Sequence, residues 1–164
     1  MHNRIELFLS EFNTIYKLQF GFRKNHSTEH ALLSIIEEVR KNLDNSIYSC
    51  GVFVDLEKAF DTVNHIILIS NLEHYGIREN ALKWLQSYLS NRKQFVKLNG
   101  VDSEYENISC GVPQGSILGP LLFTIYINDM QQAVKSCNIH HFADDTNLLF
   151  RSKYPNEITK ILNN

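Results

Sequence analysis

Two short apolar runs end in aspartate, and they constrain this chain more than any other feature: Val52-Phe53-Val54-Asp55 and His141-Phe142-Ala143-Asp144-Asp145. Each run has the composition of a buried strand. A strand is a rigid mount, and an aspartate at its end has a short side chain with few rotamers. That is how a fold holds oxygen ligands for a hard cation such as Mg²⁺. Neighbouring side chains on a regular strand point to opposite faces, so Asp144 and Asp145 share a site only at a bend. The Asp-Asp-Thr-Asn composition favours a turn there. Only tertiary structure can bring this pair to Asp55. Three convergent carboxylates repel one another unless cations lie between them, and two cations suit phosphoryl transfer. Taken singly, each segment also has a plainer reading: Asp144-Asp145 as a solvated hairpin turn, Asp55 as the cap of a helix.

The chain has 164 residues, 43% hydrophobic and 21% charged, enough for one folded domain with a core. It has no run of about 18 uncharged apolar residues, so no transmembrane helix is expected. Arg4 and Glu6 interrupt the apolar pattern of the first ten residues, which makes them a poor signal peptide. The three cysteines, Cys50, Cys110 and Cys137, are odd in number and form no C-x-x-C pair. Buried free thiols in a reducing compartment fit them better than a disulfide framework or a zinc site. The formal charge of −2 is unlike the basic balance of proteins that grip a nucleic-acid backbone. Any such grip has to come from local patches or from other segments.

The pattern predicts a short amphipathic helix over residues 4–12, a loop with a basic tip at Gln19 to Lys24, and a helix capped by Ser27 or Thr28 running to about Asp44. The apolar face of that helix is expected at Ala31, Leu32, Ile35, Ile36, Val39 and Leu43. A strand follows over Tyr48–Val54. Asp61 is placed to cap a helix through about Tyr75, ended by Gly76, and a further helix covers about Glu79–Leu89. Asn99-Gly100 between apolar runs signals a hairpin whose second strand reaches about Cys110. Gly111–Pro120 is a loop, Leu121 to about Val134 a helix, and 139–143 and 147–150 strands flanking Asp144-Asp145-Thr146. The polar tail after Ser152 is expected to fray. Helices and strands mix without regular alternation, which argues for an α+β fold with helices on one face of a mostly antiparallel sheet.

Four motifs stand in one order along the chain: Gln19-Phe20-Gly21-Phe22-Arg23 with Ser27-Thr28, then Phe53-Val54-Asp55-Leu56-Glu57-Lys58-Ala59-Phe60-Asp61, then Gly111-Val112-Pro113-Gln114-Gly115-Ser116-Ile117-Leu118-Gly119-Pro120, then Phe142-Ala143-Asp144-Asp145. Together they resemble the fingers motif and the three catalytic motifs of reverse transcriptases. The variants are similar to those of non-LTR (LINE-like) retrotransposons, and the resemblance spans about Asn3 to Phe150. It implies a polymerase palm-type sheet with part of the fingers: about 1–50 on the fingers side, about 51–150 as palm, and 151–164 as tail. It also implies an RNA-directed DNA polymerase that transfers a nucleotide from dNTP to a primer 3′-hydroxyl. Asp55, Asp144 and Asp145, with the Leu56 carbonyl, would hold two Mg²⁺ ions, with Mn²⁺ the alternative ion. Phe60 would exclude a ribose 2′-OH, Gln114 and Gly115 would lie beside the incoming nucleotide, and Arg23 would contact its triphosphate. An RNA template and a DNA primer are the implied partners, with no membrane, in the nucleus or cytoplasm.

Several residues keep a plainer alternative. Phe60 also fits a core position, Arg23 a solvated loop, and Lys58 either a phosphate or solvent. Asp61 reads as a helix cap rather than a fourth ligand, and His26, His30, His140 and His141 as non-metal residues. Asn91-Arg92-Lys93 fits a backbone contact or a solvated turn equally well. The family's thumb and an endonuclease domain are not found in these 164 residues, so the expectation is a partial domain. The competing functional expectation is a catalytically inactive remnant, acting at most as a nucleic-acid- or protein-binding module.

Overall fold

The structure is a computed structural model that describes residues 1–163. In chain order its elements are α1 (His2–Glu11), α2 (Thr28–Asp44), β1 (Tyr48–Val54), α3 (His65–His74), α4 (Glu79–Leu89), β2 (Arg92–Gln94), β3 (Lys97–Leu98), β4 (Val101–Asp102), β5 (Glu106–Ile108), α5 (Gly119–Ile127), α6 (Met130–Ala133), β6 (Cys137–Phe142), β7 (Asp145–Ser152) and α7 (Pro155–Leu162). The fold is α+β with antiparallel sheets. Two compact units divide the chain: residues 10–57 with 127 onward, and residues 1–9 with 58–126.

The first unit is built on a three-stranded antiparallel sheet in the order β1-β7-β6. Val54 lies opposite Thr146, and Phe142 opposite Asp145. Strand alternation puts Cys50, Val52, Ile139, His141, Leu148 and Phe150 on one face. The opposite face meets α2. Ser27 caps this helix, its hydroxyl accepting from the His30 amide. The apolar face expected of α2 packs only in part: Ala31 is buried and Ile35 and Val39 are half-buried, whereas Leu32, Ile36 and Leu43 are exposed and the polar Asn42 is buried. The reason is polar. Asn42 donates to the Ser49 hydroxyl at 2.9 Å, and the Glu38 carboxylate meets Asn138 at 2.6 Å and the His140 ring at 3.1 Å. Ala31, Glu38 and Asn42 therefore set the helix's rotation, at the expense of the leucines.

Three more expectations in this unit change. The helix expected from Leu121 to Val134 is broken at Asn128, which is buried and uses its side chain elsewhere. It accepts from the Tyr16 amide at 2.7 Å and donates to the Thr14 carbonyl at 2.9 Å. The turn of the β6–β7 hairpin is shorter than expected, just Ala143-Asp144, because Asp145 and Thr146 already pair as strand. The tail expected to fray after Ser152 instead forms a helix over Pro155–Leu162. Pro155 opens α7 at a position where its missing N–H is harmless, and Ile158 is buried.

The second unit packs α3 and α4 through Leu68, Leu72, Leu82, Leu85 and Leu89, all buried. Gly76 ends α3 with φ +95°; its amide bonds the Glu73 carbonyl and the Ile77 amide bonds that of Leu72. This is a Schellman stop, which needs a left-handed residue. Asp61 does not cap α3. Asn64 does, its side chain accepting from the amides of Ile66 and Ile67, because the helix starts later than the apolar pattern suggests. The Asn99-Gly100 hairpin forms as expected, with positive φ at both turn residues. Its second strand does not run unbroken to Cys110. Residues 92–94 are strand rather than turn and pair with 106–108, and the register slips by one between the two ladders. That leaves Glu104 and Tyr105 together opposite Phe95, a bulge that bends the ribbon.

His141 is the most perturbed buried group of the sheet. It is 2% exposed, and burial, followed by repulsion from His140, lowers its pKa from 6.5 to about 4. The folded chain thus refuses a proton that the unfolded chain accepts. This contribution to stability is whole above pH 6.5 and is lost as pH falls toward 4. The cost across that window is on the order of 3 kcal/mol. Urea denaturation at pH 7.0 and 4.5, with an NMR titration of the His141 ring, tests this; an ordinary imidazole pKa in the folded chain would contradict it.

Candidate active site

All three candidate metal-binding aspartates belong to the unit that carries the sheet. Asp55 follows the last residue of β1, and Asp145 opens β7 in the neighbouring register position, one step beyond the Val54–Thr146 pair. Asp55 and Asp145 line one cleft of about 440 Å³ together with Phe53, Phe142, Asn147 and Ala31. Asp144 is not in that lining; it sits in the two-residue turn before Asp145, half-buried, with its carbonyl accepting from the Thr146 hydroxyl at 3.3 Å. Among the described residues, no group of three or more His, Cys, Asp or Glu side chains is gathered closely enough to hold a metal ion. The sheet brings Asp55 and Asp145 to one cleft, and Asp144 directly precedes Asp145 in the hairpin turn. Carboxylates are the hard oxygen donors that a divalent cation takes, so Asp55, Asp144 and Asp145 fit such an ion in donor type. Leu56, whose carbonyl was the fourth expected ligand, directly follows Asp55 at the start of the irregular segment before Lys58, which has φ +52°.

The turn itself is strained. Ala143 has φ +58° and is buried, a conformation that suits glycine. Positive φ at the first turn residue only is the pattern of a type II′ hairpin. Arg23, in the same unit, is held inward: its Nη1 donates to the carbonyls of Tyr16 at 3.1 Å and Gln19 at 2.9 Å. Burial lowers its pKa somewhat, yet a guanidinium remains charged. It is thus neither a freely solvated loop arginine nor an unrestrained one. The four histidines have other contacts: His26 lies against Phe20 and His30, His140 against Glu38, and His141 against Thr146.

Phe60, Gln114 and Gly115 lie in the other unit, where the segment 60–63 and the loop 111–119 are laced together. The Val112 amide donates to Phe60 and the Gly111 amide to Val63, both at 2.8 Å. The Gly111 carbonyl is met by His65 Nε2 at 2.7 Å and Arg92 Nη1 at 3.1 Å. A Cβ on Gly111 would stand 2.7 Å from the Asp61 carbonyl oxygen, so only glycine permits this approach. Gln114 Nε2 donates to Asp61 Oδ1 at 2.9 Å, which is what Asp61 does in place of capping. Ser116 closes the far end, its hydroxyl donating to Pro113 and accepting from the Gly119 amide that opens α5. Phe60 stacks on the buried Phe123 with ring centres 4.6 Å apart, so its ring is backed rather than free to swing. Gly115 is exposed with φ +74°. The bracing by His65 and Arg92 was missed. Only the basic character of Asn91-Arg92-Lys93 signalled Arg92, and it pointed to nucleic acid rather than to a carbonyl.

Comparison with known proteins identifies the family. The family described as reverse transcriptase (RNA-dependent DNA polymerase) matches residues 1–164. A probable RNA-directed DNA polymerase from transposon X-element of Drosophila melanogaster is 35% identical over 145 residues, covering 82% of this chain and 15% of the relative. The RNA-directed DNA polymerase from mobile element jockey of the same species is 33% identical, covering 85% of this chain and 16% of the relative. The chain thus spans a small part of the length of these relatives. Among solved structures, telomerase from Candida albicans, in complex with a TWJ fragment of telomeric RNA, is similar in fold. Its TM-score is 0.72 at 14% identity, covering 99% of this chain and 31% of that one. The chain belongs to the reverse transcriptase family, and the Drosophila relatives named above are polymerases of non-LTR retrotransposons.

Proposed function

We propose that this chain is the catalytic core of an RNA-directed DNA polymerase, extending a DNA primer on an RNA template with dNTPs. The observation that carries this reading is the meeting of Asp55 and Asp145 in one cleft, with Asp144 on the adjoining strained turn. Asp55, Asp144, Asp145 and the Leu56 carbonyl would hold two Mg²⁺ ions, with Mn²⁺ as substitute. When bound, such ions lower the pKa of the primer hydroxyl and stabilise negative charge on the phosphates. The chain's own work is positioning. Arg23, steadied by two carbonyls, offers its charge to the triphosphate. Phe60, backed by Phe123, presents a ring with no room for a 2′-OH. Gln114 and Gly115 stand on a loop whose backbone is fixed at Gly111 and Ser116, and the nucleotide can approach where Gly115 has no side chain. A reducing intracellular site, nucleus or cytoplasm, suits three free cysteines, although they are not the buried thiols expected: Cys110 is exposed and Cys50 and Cys137 are half-buried.

In the protein that carries this chain, primer extension on RNA should require Mg²⁺ or Mn²⁺ and vanish with chelator. Asp55→Ala and Asp144→Ala should each lower the rate by about 10²–10³-fold or more. Extension that survives both substitutions together sinks the assignment. A folded protein that extends no primer on any template supports the inactive-remnant reading instead.

Phe60→Ala should open room for a ribonucleotide. The preference for dNTP over rNTP, measured as a ratio of kcat/KM values, should fall by about tenfold or more. An unchanged ratio would return Phe60 to a purely structural role.

A further inference from the structure

The paired-aspartate turn cannot hold its shape alone. Ala143 is a buried residue in the left-handed region, and such a conformation persists only where the surroundings over-determine it. The surroundings come from the segment 18–21. Its main chain adds to the edge of β6: the Phe20 amide donates to the His141 carbonyl at 2.8 Å, and the His141 amide to Leu18 at 2.9 Å. Its glycine touches the turn directly. A Cβ on Gly21 would fall 2.0 Å from the Ala143 nitrogen and 2.9 Å from the Phe142 carbonyl carbon, so this is backbone against backbone.

The remaining contact is a side chain. Gln19 is 2% exposed, and its Oε1 accepts from the Gly21 amide at 2.8 Å and from the Ala143 amide at 3.3 Å. Two N–H donors converging on one atom fix that atom as the oxygen. Gln19 Nε2, by contrast, is buried with no hydrogen-bond partner among the described residues. A buried amide that leaves its donor unmatched is kept for its acceptor. The Gln19 backbone carbonyl meanwhile takes Arg23 Nη1. The same residue thus touches the turn that bears Asp144 with its side chain and the proposed triphosphate ligand with its main chain.

We propose that Gln19 is a positioning residue: its carboxamide oxygen locks the Ala143 amide and so fixes the turn that presents Asp144, tying that turn to the loop that holds Arg23. On the opposite flank, the Thr146 hydroxyl donates to the Asp144 carbonyl and His141 Nδ1 supports that hydroxyl at 3.1 Å, so the turn is gripped from both sides. The consequence for catalysis rests on the polymerase reading; the brace itself does not.

Gln19→Met keeps the length and removes the acceptor, and Gln19→Glu keeps the acceptor. In the 164-residue chain, residue-resolved amide hydrogen exchange should show Ala143 exchanging at least about tenfold faster in Gln19→Met, with Leu148, Leu149 and Phe150 unchanged. Gln19→Glu should stay near the parent. In the protein that carries the chain, Gln19→Met should lower kcat by about 10²-fold with little change in KM for template–primer, and Gln19→Glu should recover most of it. An Ala143 amide indifferent to Gln19→Met overturns the proposal, as does loss of protection across the whole sheet or a Gln19→Glu variant that behaves like Gln19→Met. Local exchange as expected, in a protein whose parent extends no primer, supports the brace and sinks the polymerase reading.

Discussion

The antiparallel pairing of β7 with both β1 and β6 is the contact on which the site depends. Pairing has a period of two, so one residue of slip would send every side chain of a strand to the opposite face. With Val54 opposite Thr146 and Phe142 opposite Asp145, the end of β1 and the start of β7 meet at one level. Asp55 and Asp145 become neighbours through backbone hydrogen bonds alone, although nothing attracts two carboxylates to each other. The apolar faces of the sheet hold the register, and the register holds the acids.

The same logic explains why polar groups, not leucines, orient α2. An apolar stripe specifies burial but not rotation to within one residue. Asn42 on Ser49, and Glu38 on Asn138 and His140, do specify it. A carboxylate shared between an asparagine amide and an imidazole is costly to leave unpaired, so the helix turns to satisfy it and lets Leu32, Ile36 and Leu43 face outward.

Local chemistry was legible in the sequence where a residue type has one conformational use. Asn99-Gly100 formed its turn, Gly76 its helix stop, and Ser27 its cap. Strands β1, β6 and β7 were visible from their apolar runs, and with them the sheet end where the acids lie. What failed was the reading of polar side chains whose partners are distant. Asp61 looked like a cap because the residues after it are apolar, and it proved to be held by Gln114. Asn128 sits inside a helical pattern and breaks it for the sake of Thr14 and Tyr16. No local pattern encodes such a bond, because its energy lies in a tertiary contact. Gln19 belongs to the same class: its position in a motif was visible, but its hold on Ala143 was not.

The two hairpins of this chain treat length in opposite ways. The ribbon of β2 to β5 has absorbed an extra residue opposite Phe95 and lost only straightness, since beyond Arg92 and Ile108 its side chains face solvent. The Ala143-Asp144 turn has no such slack. One residue added there would exchange the two faces of β7 against β6, or else drag it out of step with β1, carrying Thr146 away from His141 and Asp145 away from Asp55. Sequence change can therefore lengthen the ribbon freely, while the spacing from Phe142 to Asp145 behaves as a fixed ruler.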